Sequence, residues 1–353
     1  MSWITAWLQE RFPVEGEQLR EWTNEPVPNH MKRWWFCLGG TPAYLFVVQV
    51  VTGIMLAVYF QPSTTTAYES VRFITDEAAY GWFIRGLHKW AATLMVAAVI
   101  LHQMRVYFTG AYRRPRELNW IVGMCLLLCT LGLGFTGYSL VFEQLSYWGA
   151  TVGGNILDTV PIVGGVFKQL LLAGNQYNEH TLSRFYILHA AVLPATLTGL
   201  VFVHIVFVRL HGVTEFKSER KADDATAGTP DHFNFFPDHM ATELALGLFL
   251  MILLSVLATV FPVSLGPRAD PLTTPEVIKP EWFFYATFRW LKLFGPTVAV
   301  LSMGFIVCAM FLWPWIDSFL RRVTRREDTS VYIGIVAVFL LIGLTCWEAL
   351  VAH

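Results

Sequence analysis

Four of the ten histidines lie inside long apolar runs: His88 and His102 in one, His189 and His204 in another. An ionisable or coordinating side chain is costly in hydrocarbon, so each is a functional candidate, although a lone intramembrane histidine is as often a hydrogen-bonding core residue. Two per run at matched spacing point to something more. The steps are 14 and 15 residues. On helices they correspond to ~21 and ~22 Å of axial rise. At ~100° per residue, each pair returns to within about 60° of one face. Each run thus presents two imidazoles on one side at two depths. Imidazole nitrogen is an axial ligand of haem iron, so four such rings form the donor set for two bis-histidine haem b sites stacked across a bilayer.

Two other runs carry Gly39 with Gly53 and Gly123 with Gly137, and both spacings are again 14 residues. A missing side chain at two levels lets a flat macrocycle approach the backbone. Close helix packing explains any one of these glycines as well, but four at the histidine spacing favour the macrocycle. Arg85 and Arg184 fall near one level, and Arg105, Arg114 and Arg209 near the other, where guanidinium groups pair well with haem propionates. Each arginine taken singly is equally plausible as an interfacial anchor.

The elements that must position these groups are apolar runs of about 20 residues, the length that crosses ~30 Å of hydrocarbon. Seven are readable: Trp34 to Phe60, Leu87 to Phe108, Trp120 to Phe142, Phe185 to Leu210, Leu244 to Val263, Thr297 to Phe319 and Val331 to Val351. The composition agrees, with 55% hydrophobic residues, 14% charged, 14 Trp and 27 Phe in 353 residues. Each run should be helical, because lipid offers the backbone no hydrogen-bond partners. The expected fold is all-α and polytopic, with seven transmembrane helices: a di-haem four-helix bundle, then three further helices. The expected division is 1–33 as an N-terminal segment, 34–214 as the haem-binding unit, 215–243 as a polar linker and loop, and 244–353 as the three-helix unit. No internal repeat is visible. No charged-then-apolar leader precedes the first run. Trp3, Ile4, Trp7, Leu8 and Phe12 recur at helical spacing, as in a surface-lying helix or a frayed terminus.

Basic residues orient the chain, since they stay on the untranslocated side. Sixteen lie in the N-terminal segment and in the loops after the second, fourth and sixth runs, against eight in the opposite loops. The N-terminus is therefore expected on the negative side. His88 and His189 then share the positive-side level, and His102 and His204 the negative-side level. A net charge of -1 points to no nucleic-acid partner. Cys37, Cys125, Cys129, Cys308 and Cys346 lie in or beside apolar runs without a CxxCH, so no disulfide framework is expected.

The segments RGLHKW, LHQMRVYFTGAYRRPRELNW, GYSLVFEQLSYWGATVGGN, SRFYILHAAVLP and PLTTPEVIKPEWFF together resemble the cytochrome b of Rieske-type quinol:cytochrome c or plastocyanin oxidoreductases, over nearly the whole chain. Seven runs, the 15-residue histidine step and Cys37 in FCLGG resemble more narrowly the cytochrome b6f type, with the b6 and subunit IV parts fused. The resemblance implies electron bifurcation: one electron from a positive-side quinol to a Rieske iron-sulfur protein, the other through the two b haems to a negative-side quinone. It implies a homodimeric complex core that includes a c-type cytochrome subunit, set in the lipids of an energy-transducing membrane. A bacterial cytoplasmic or related inner membrane is expected rather than a thylakoid. It also implies one covalent haem c at Cys37, and a quinol-oxidation site at Pro280, Glu281, Trp282 and Phe283 in which Glu281 takes the substrate proton. Phe283 stands where the family usually has Tyr, and Val141-Phe142 where Pro-Trp is common, which affects pocket shape. Glu243, with His232, Asp238 or His239, is the expected proton-donating group of the reduction site. Two rival classes remain: a membrane-anchor di-haem cytochrome serving a dehydrogenase, which needs no PEWF segment, and a haem-free transporter using the histidines as a proton relay.

Overall fold

The computed structural model describes residues 26–28, 38–212 and 232–351, so Cys37 and the N-terminal aromatic stripe lie outside the described residues. The regular elements of the described chain are helices apart from two three-residue strands, β1 (Pro26–Pro28) and β2 (His232–Asn234), paired antiparallel with Pro26 opposite Asn234. They clip the segment before the first span to the segment before the fifth.

Among the described residues, six helices are long and apolar enough to cross a membrane. They are α1 (Gly40–Ala57), α3 (Gly81–Phe108), α4 (Glu117–Leu140), the helix from Glu179 to His211, α9 (Met240–Val260 with the turn before it) and α13 (Thr329–Leu350). Shorter helices fill the connections: α2 (Ala67–Asp76), α5 (Gln144–Asp158), α6 (Gly164–Leu172) and α10 (Tyr285–Phe294). These four are too short or too polar to register as apolar runs. Their starts still have local chemistry. Glu143 and Ser146 form a reciprocal cap at α5, and the Asn178 side chain accepts from the amides of His180 and Thr181 where the fourth span begins. The Thr64 hydroxyl and amide both donate to Glu179 on that same first turn, at 2.6 and 2.8 Å.

The fourth span is not a continuous α-helix. It runs as α7 (Glu179–Ile187), a π-turn at Leu188–Val192 and α8 (Leu193–His211). Pro194 has no amide hydrogen to offer the Ala190 carbonyl and would crowd it in a regular helix, and widening the turn relieves both problems.

The sixth run, expected as one straight helix from Thr297 to Phe319, is instead broken. α11 (Pro296–Phe311) and α12 (Trp313–Thr324) meet at 78°. Pro314 sits in the first turn of α12, where its missing donor costs nothing. The Met310 carbonyl, which Pro314 cannot serve, accepts the Trp120 indole N–H at 2.7 Å. Counted as one broken span, the pair makes the seventh crossing.

α1 lies along α3, and α4 along the fourth span, so each glycine-bearing helix borders a histidine-bearing one. Leu45, Val48, Leu87, Ala91, Met95, Ala98 and Leu197 close the bundle, and Leu254 and Ala258 of α9 join the same cluster. Where α3 meets α9, a Cβ on Gly86 would come within 3.0 Å of the Ala258 side chain, which is the close approach that small residues permit in lipid.

Candidate functional site

The four histidines meet in the pairs that their depths require. The rings of His88 and His189 have centroids 6.2 Å apart at 73°, and those of His102 and His204 are 6.3 Å apart at 74°. Two imidazoles bound to one metal ion through bonds of ~2 Å have centroids about 6 Å apart, so both openings fit a bis-histidine haem iron. The π-turn contains His189. It absorbs one residue, so the 15-residue step on this span acts as the 14-residue step on α3 and brings both pairs into phase.

Outer contacts fix the rings at the first level. His88 Nδ1 lies 2.9 Å from the Thr52 hydroxyl, while His189 Nδ1 lies 3.1 Å from the Leu133 carbonyl and 3.2 Å from the Thr136 hydroxyl. With Nδ1 engaged, Nε2 is left for the metal, the usual way in which an outer partner sets tautomer and orientation. At the second level His102 Nδ1 is buried without a hydrogen-bond partner among the described residues.

Each glycine stands against one of these rings. A Cβ would lie 3.6 Å from His102 Cε1 at Gly39, 3.3 Å from His88 Cε1 at Gly53, 3.9 Å from His204 Cε1 at Gly123, and 2.5 Å from His189 Cε1 at Gly137. At each of the four positions the missing side chain leaves room for an imidazole edge. The distances differ enough to separate two variants. Gly137→Ala must displace the His189 ring, whereas Gly123→Ala meets ordinary van der Waals contact. Reduced-minus-oxidised absorption spectra should then show one component shifted or lost in Gly137→Ala and both intact in Gly123→Ala; equal spectra from the two variants would contradict this placement.

The arginines divide. Arg85 donates to the carbonyls of Val263 at 2.7 Å and Ser264 at 3.2 Å, and Arg184 to those of Gln169 and Leu170. Arg85 thus meets the segment after α9, and Arg184 the last turn of α6. Arg105 is part-buried one turn from His102, and Arg114 and Arg209 are exposed at the same end.

At the end nearer His88 and His189, the PEWF segment meets the connection between α4 and the fourth span around a cavity of about 200 Å³. Phe135 and Tyr138 of α4, Gly149 and Ile156 of α5, and Pro280 and Glu281 contribute to its lining. Trp282 and Phe283 do not line it. Phe283 turns toward α4, where a Cβ on Gly134 would lie 2.9 Å from its ring, and Phe284 takes its place at the wall. The Phe283 departure therefore acts on packing behind the pocket. Phe142 packs with Tyr147, Tyr177 and Phe185 and is not among the lining residues. Glu281 Oε1 accepts a hydrogen bond from Lys89 Nζ, and Lys89 also approaches the Tyr138 ring. Burial, reinforced by the charges of Glu281 and Glu348, raises the Tyr285 phenol above its ordinary pKa.

At the opposite end Glu243 Oε1 lies 3.6 Å from His239 Nε2, and its carboxylate fills the space against Gly40 at the start of α1. His239 is buried and Asp238 exposed, while the His232 side chain lies outside the described set. Gly40, rather than Gly39, makes the close approach to Glu243.

Two buried ionic clusters have no counterpart in the sequence reading. Glu348 of α13 is fully buried and pairs with Arg289 at 2.8 Å and Lys292 at 3.1 Å, fastening α10 behind the cavity. Removing one member of such a buried cluster costs ~3–5 kcal/mol, because the others stay buried and unpaired. Asp317 of α12, also fully buried, accepts from Arg113 at 3.0 Å and Arg321 at 3.1 Å, and from Ser330.

Residues 22–212 match the family model described as Cytochrome b/b6/petB, and residues 268–352 match the one described as Cytochrome b(C-terminal)/b6/petD. The chain is 44% identical over 209 residues to a cytochrome b6 of Heliomicrobium gestii, covering 59% of this chain and 98% of that one. It is 33% identical over 346 residues to the cytochrome bc complex cytochrome b subunit of Chlorobaculum thiosulfatiphilum, covering 96% of this chain and 79% of that one. Among solved structures it is similar to a chain of a hyperthermophilic respiratory Complex III, with TM-score 0.83 at 25% identity, covering 99% of this chain and 92% of that one.

Proposed function

This chain belongs to the cytochrome b/b6 family, as an integral-membrane cytochrome b subunit of a bc-type complex, and on that premise we propose that it oxidises quinol at the Glu281 cavity and passes electrons across the bilayer to a quinone site beside Glu243. The observation that carries this reading is the pair of opposed imidazole couples, 6.2 and 6.3 Å between centroids, at two levels of one bundle. Haem b bound there supplies one-electron carriers at two depths. The chain's own share is ligation, spacing and proton handling.

Glu281 sits on the cavity wall with Oε1 held by Lys89, which leaves Oε2 to face a quinol hydroxyl and accept its proton. The apolar lining from Phe135, Ile156, Phe284 and Phe288 suits a quinone ring and keeps bulk water away. Glu243 and His239, 3.6 Å apart at the far end, would deliver protons to a reduced quinone. The loop charge places the Glu281 end on the positive side. Protons released there and taken up at the Glu243 end make turnover charge-separating. A Rieske protein, a c-type cytochrome subunit and a homodimeric core are the assembly this reading requires, in a bacterial energy-transducing membrane. Residues 34–214 form the haem-binding unit and 244–353 the unit that completes the quinol pocket.

The purified complex, given quinol and a soluble c-type cytochrome or plastocyanin, should reduce that acceptor catalytically. Quinol-driven reduction of the b haems with no electron reaching the soluble acceptor would instead favour a membrane-anchor cytochrome for a dehydrogenase.

Cys37 completes the proposal as the attachment point of a haem c beside the Gly39 and His102 level. A thioether survives unfolding, whereas histidine-ligated b haem is lost with the fold. After denaturing electrophoresis the wild-type chain from its native membrane should stain for haem peroxidase, and Cys37→Ala should lose the stain while keeping both b components. A denatured wild-type mass equal to the bare polypeptide would return Cys37 to a packing role.

A further inference from the structure

The break at Leu312 turns α12 78° away from α11, so with α11 along the membrane normal α12 runs close to the membrane plane. Its two faces differ. Toward the protein, Pro314 and Asp317 are buried, and Asp317 is tied to Arg113 and Arg321. Away from it, Leu312, Trp315, Phe319 and Val323 are all exposed, at steps of three, four and four residues that form one helical stripe. Basic residues follow at the end of the helix. Arg322 falls at the edge of the stripe, and Arg325 and Arg326 lie just beyond the last turn. All three are exposed and make no ion pair among the described residues, because Glu327 is engaged by Arg113 and Arg321. An apolar stripe with arginines at its edge is the build of a helix lying in the membrane interface, and the basic-residue count places this end on the negative side.

We propose that α12 lies flat in the negative-side leaflet and that Arg322, Arg325 and Arg326 hold the phosphate headgroups of anionic phospholipids there. Leu312, Trp315, Phe319 and Val323 sink among the upper acyl carbons. The arginines meet the phosphates at the level where the stripe ends. Charge complementarity selects anionic over zwitterionic lipid, and the buried Asp317 cluster keeps the helix at the required angle.

Native mass spectrometry of the purified complex from nanodiscs of equimolar phosphatidylcholine and phosphatidylglycerol tests this. Retained lipid should be enriched in phosphatidylglycerol, and replacing Arg322, Arg325 and Arg326 by Gln should lower that enrichment by about fivefold per arginine. Arg72→Gln, at the other end of the molecule, should leave it unchanged, and the haem spectra report that each variant is folded. Retention at the bulk ratio, or enrichment untouched by the triple substitution, would overturn the proposal. A photo-crosslinker in place of Phe319 should give lipid adducts; adducts to a second copy of the chain or to another subunit would assign the stripe to a protein interface and overturn it equally.

Discussion

His88→Ala and His189→Ala are each expected to remove the same b-type absorption component, and His102→Ala and His204→Ala to remove the other. Each pair faces itself across a gap that suits one metal ion with two imidazole ligands. Taking either ring away removes half of the donor pair that would hold the haem at that level, so the loss should be of a whole component. The two levels are 14 residues apart on α3, or ~21 Å along the helix. At that separation, with no shared partners, effects at one level should be nearly independent of the other. Combining His88→Ala with His189→Ala should do no more than either alone, whereas His88→Ala with His102→Ala should leave no b-type absorption. Loss of one shared component from both His88→Ala and His102→Ala would refute the pairing.

Glu281→Gln should slow quinol oxidation by ~10²-fold or more while both b haems stay at wild-type content, since general-base catalysis contributes a factor of this order. Glutamine keeps the volume and can still meet Lys89 through its carbonyl oxygen, but it cannot take a proton. The deficit should fall on turnover more than on apparent quinol affinity, because the cavity wall of Phe135, Tyr138, Gly149 and Phe284 is untouched. Unchanged turnover from pH 5 to pH 9 would remove Glu281 as the proton acceptor. Lys89→Met supplies a contrast: the carboxylate remains but loses the ammonium that positions it, so a smaller defect is expected.

The haem-site histidines were legible because four imidazoles in hydrocarbon are conspicuous and their spacing repeats. Their phase was not. Constant helical rotation leaves the steps on the two spans misaligned, and the π-turn that corrects this depends on Pro194 and on packing against α4, which periodicity does not report. The broken sixth run was hidden for a related reason. Averaged hydropathy passes smoothly over Leu312, whereas the bend comes from Pro314, the Trp120 bond to Met310 and the burial of Asp317 against Arg113. Lys89 was overlooked because it lies inside an apolar run and enters no loop-charge count, yet it holds Glu281. Glu348 was overlooked likewise at the end of the last run, since its partners Arg289 and Lys292 stand more than fifty residues away. Composition foresaw the spans; the ionic clusters arise only from tertiary contact. Motif membership also proved coarser than geometry, as Trp282 and Phe283 belong to the PEWF segment but are not among the residues lining the cavity that Pro280 and Glu281 line.

Low-temperature electron paramagnetic resonance of the oxidised complex, with haem quantified per chain, bears most directly on two bis-histidine sites in one bundle. Two low-spin ferric signals of bis-imidazole type are expected for each chain, one absent from His189→Ala and the other absent from His204→Ala. A wild-type complex with a single bis-imidazole signal, or with both signals surviving His189→Ala, would contradict the account.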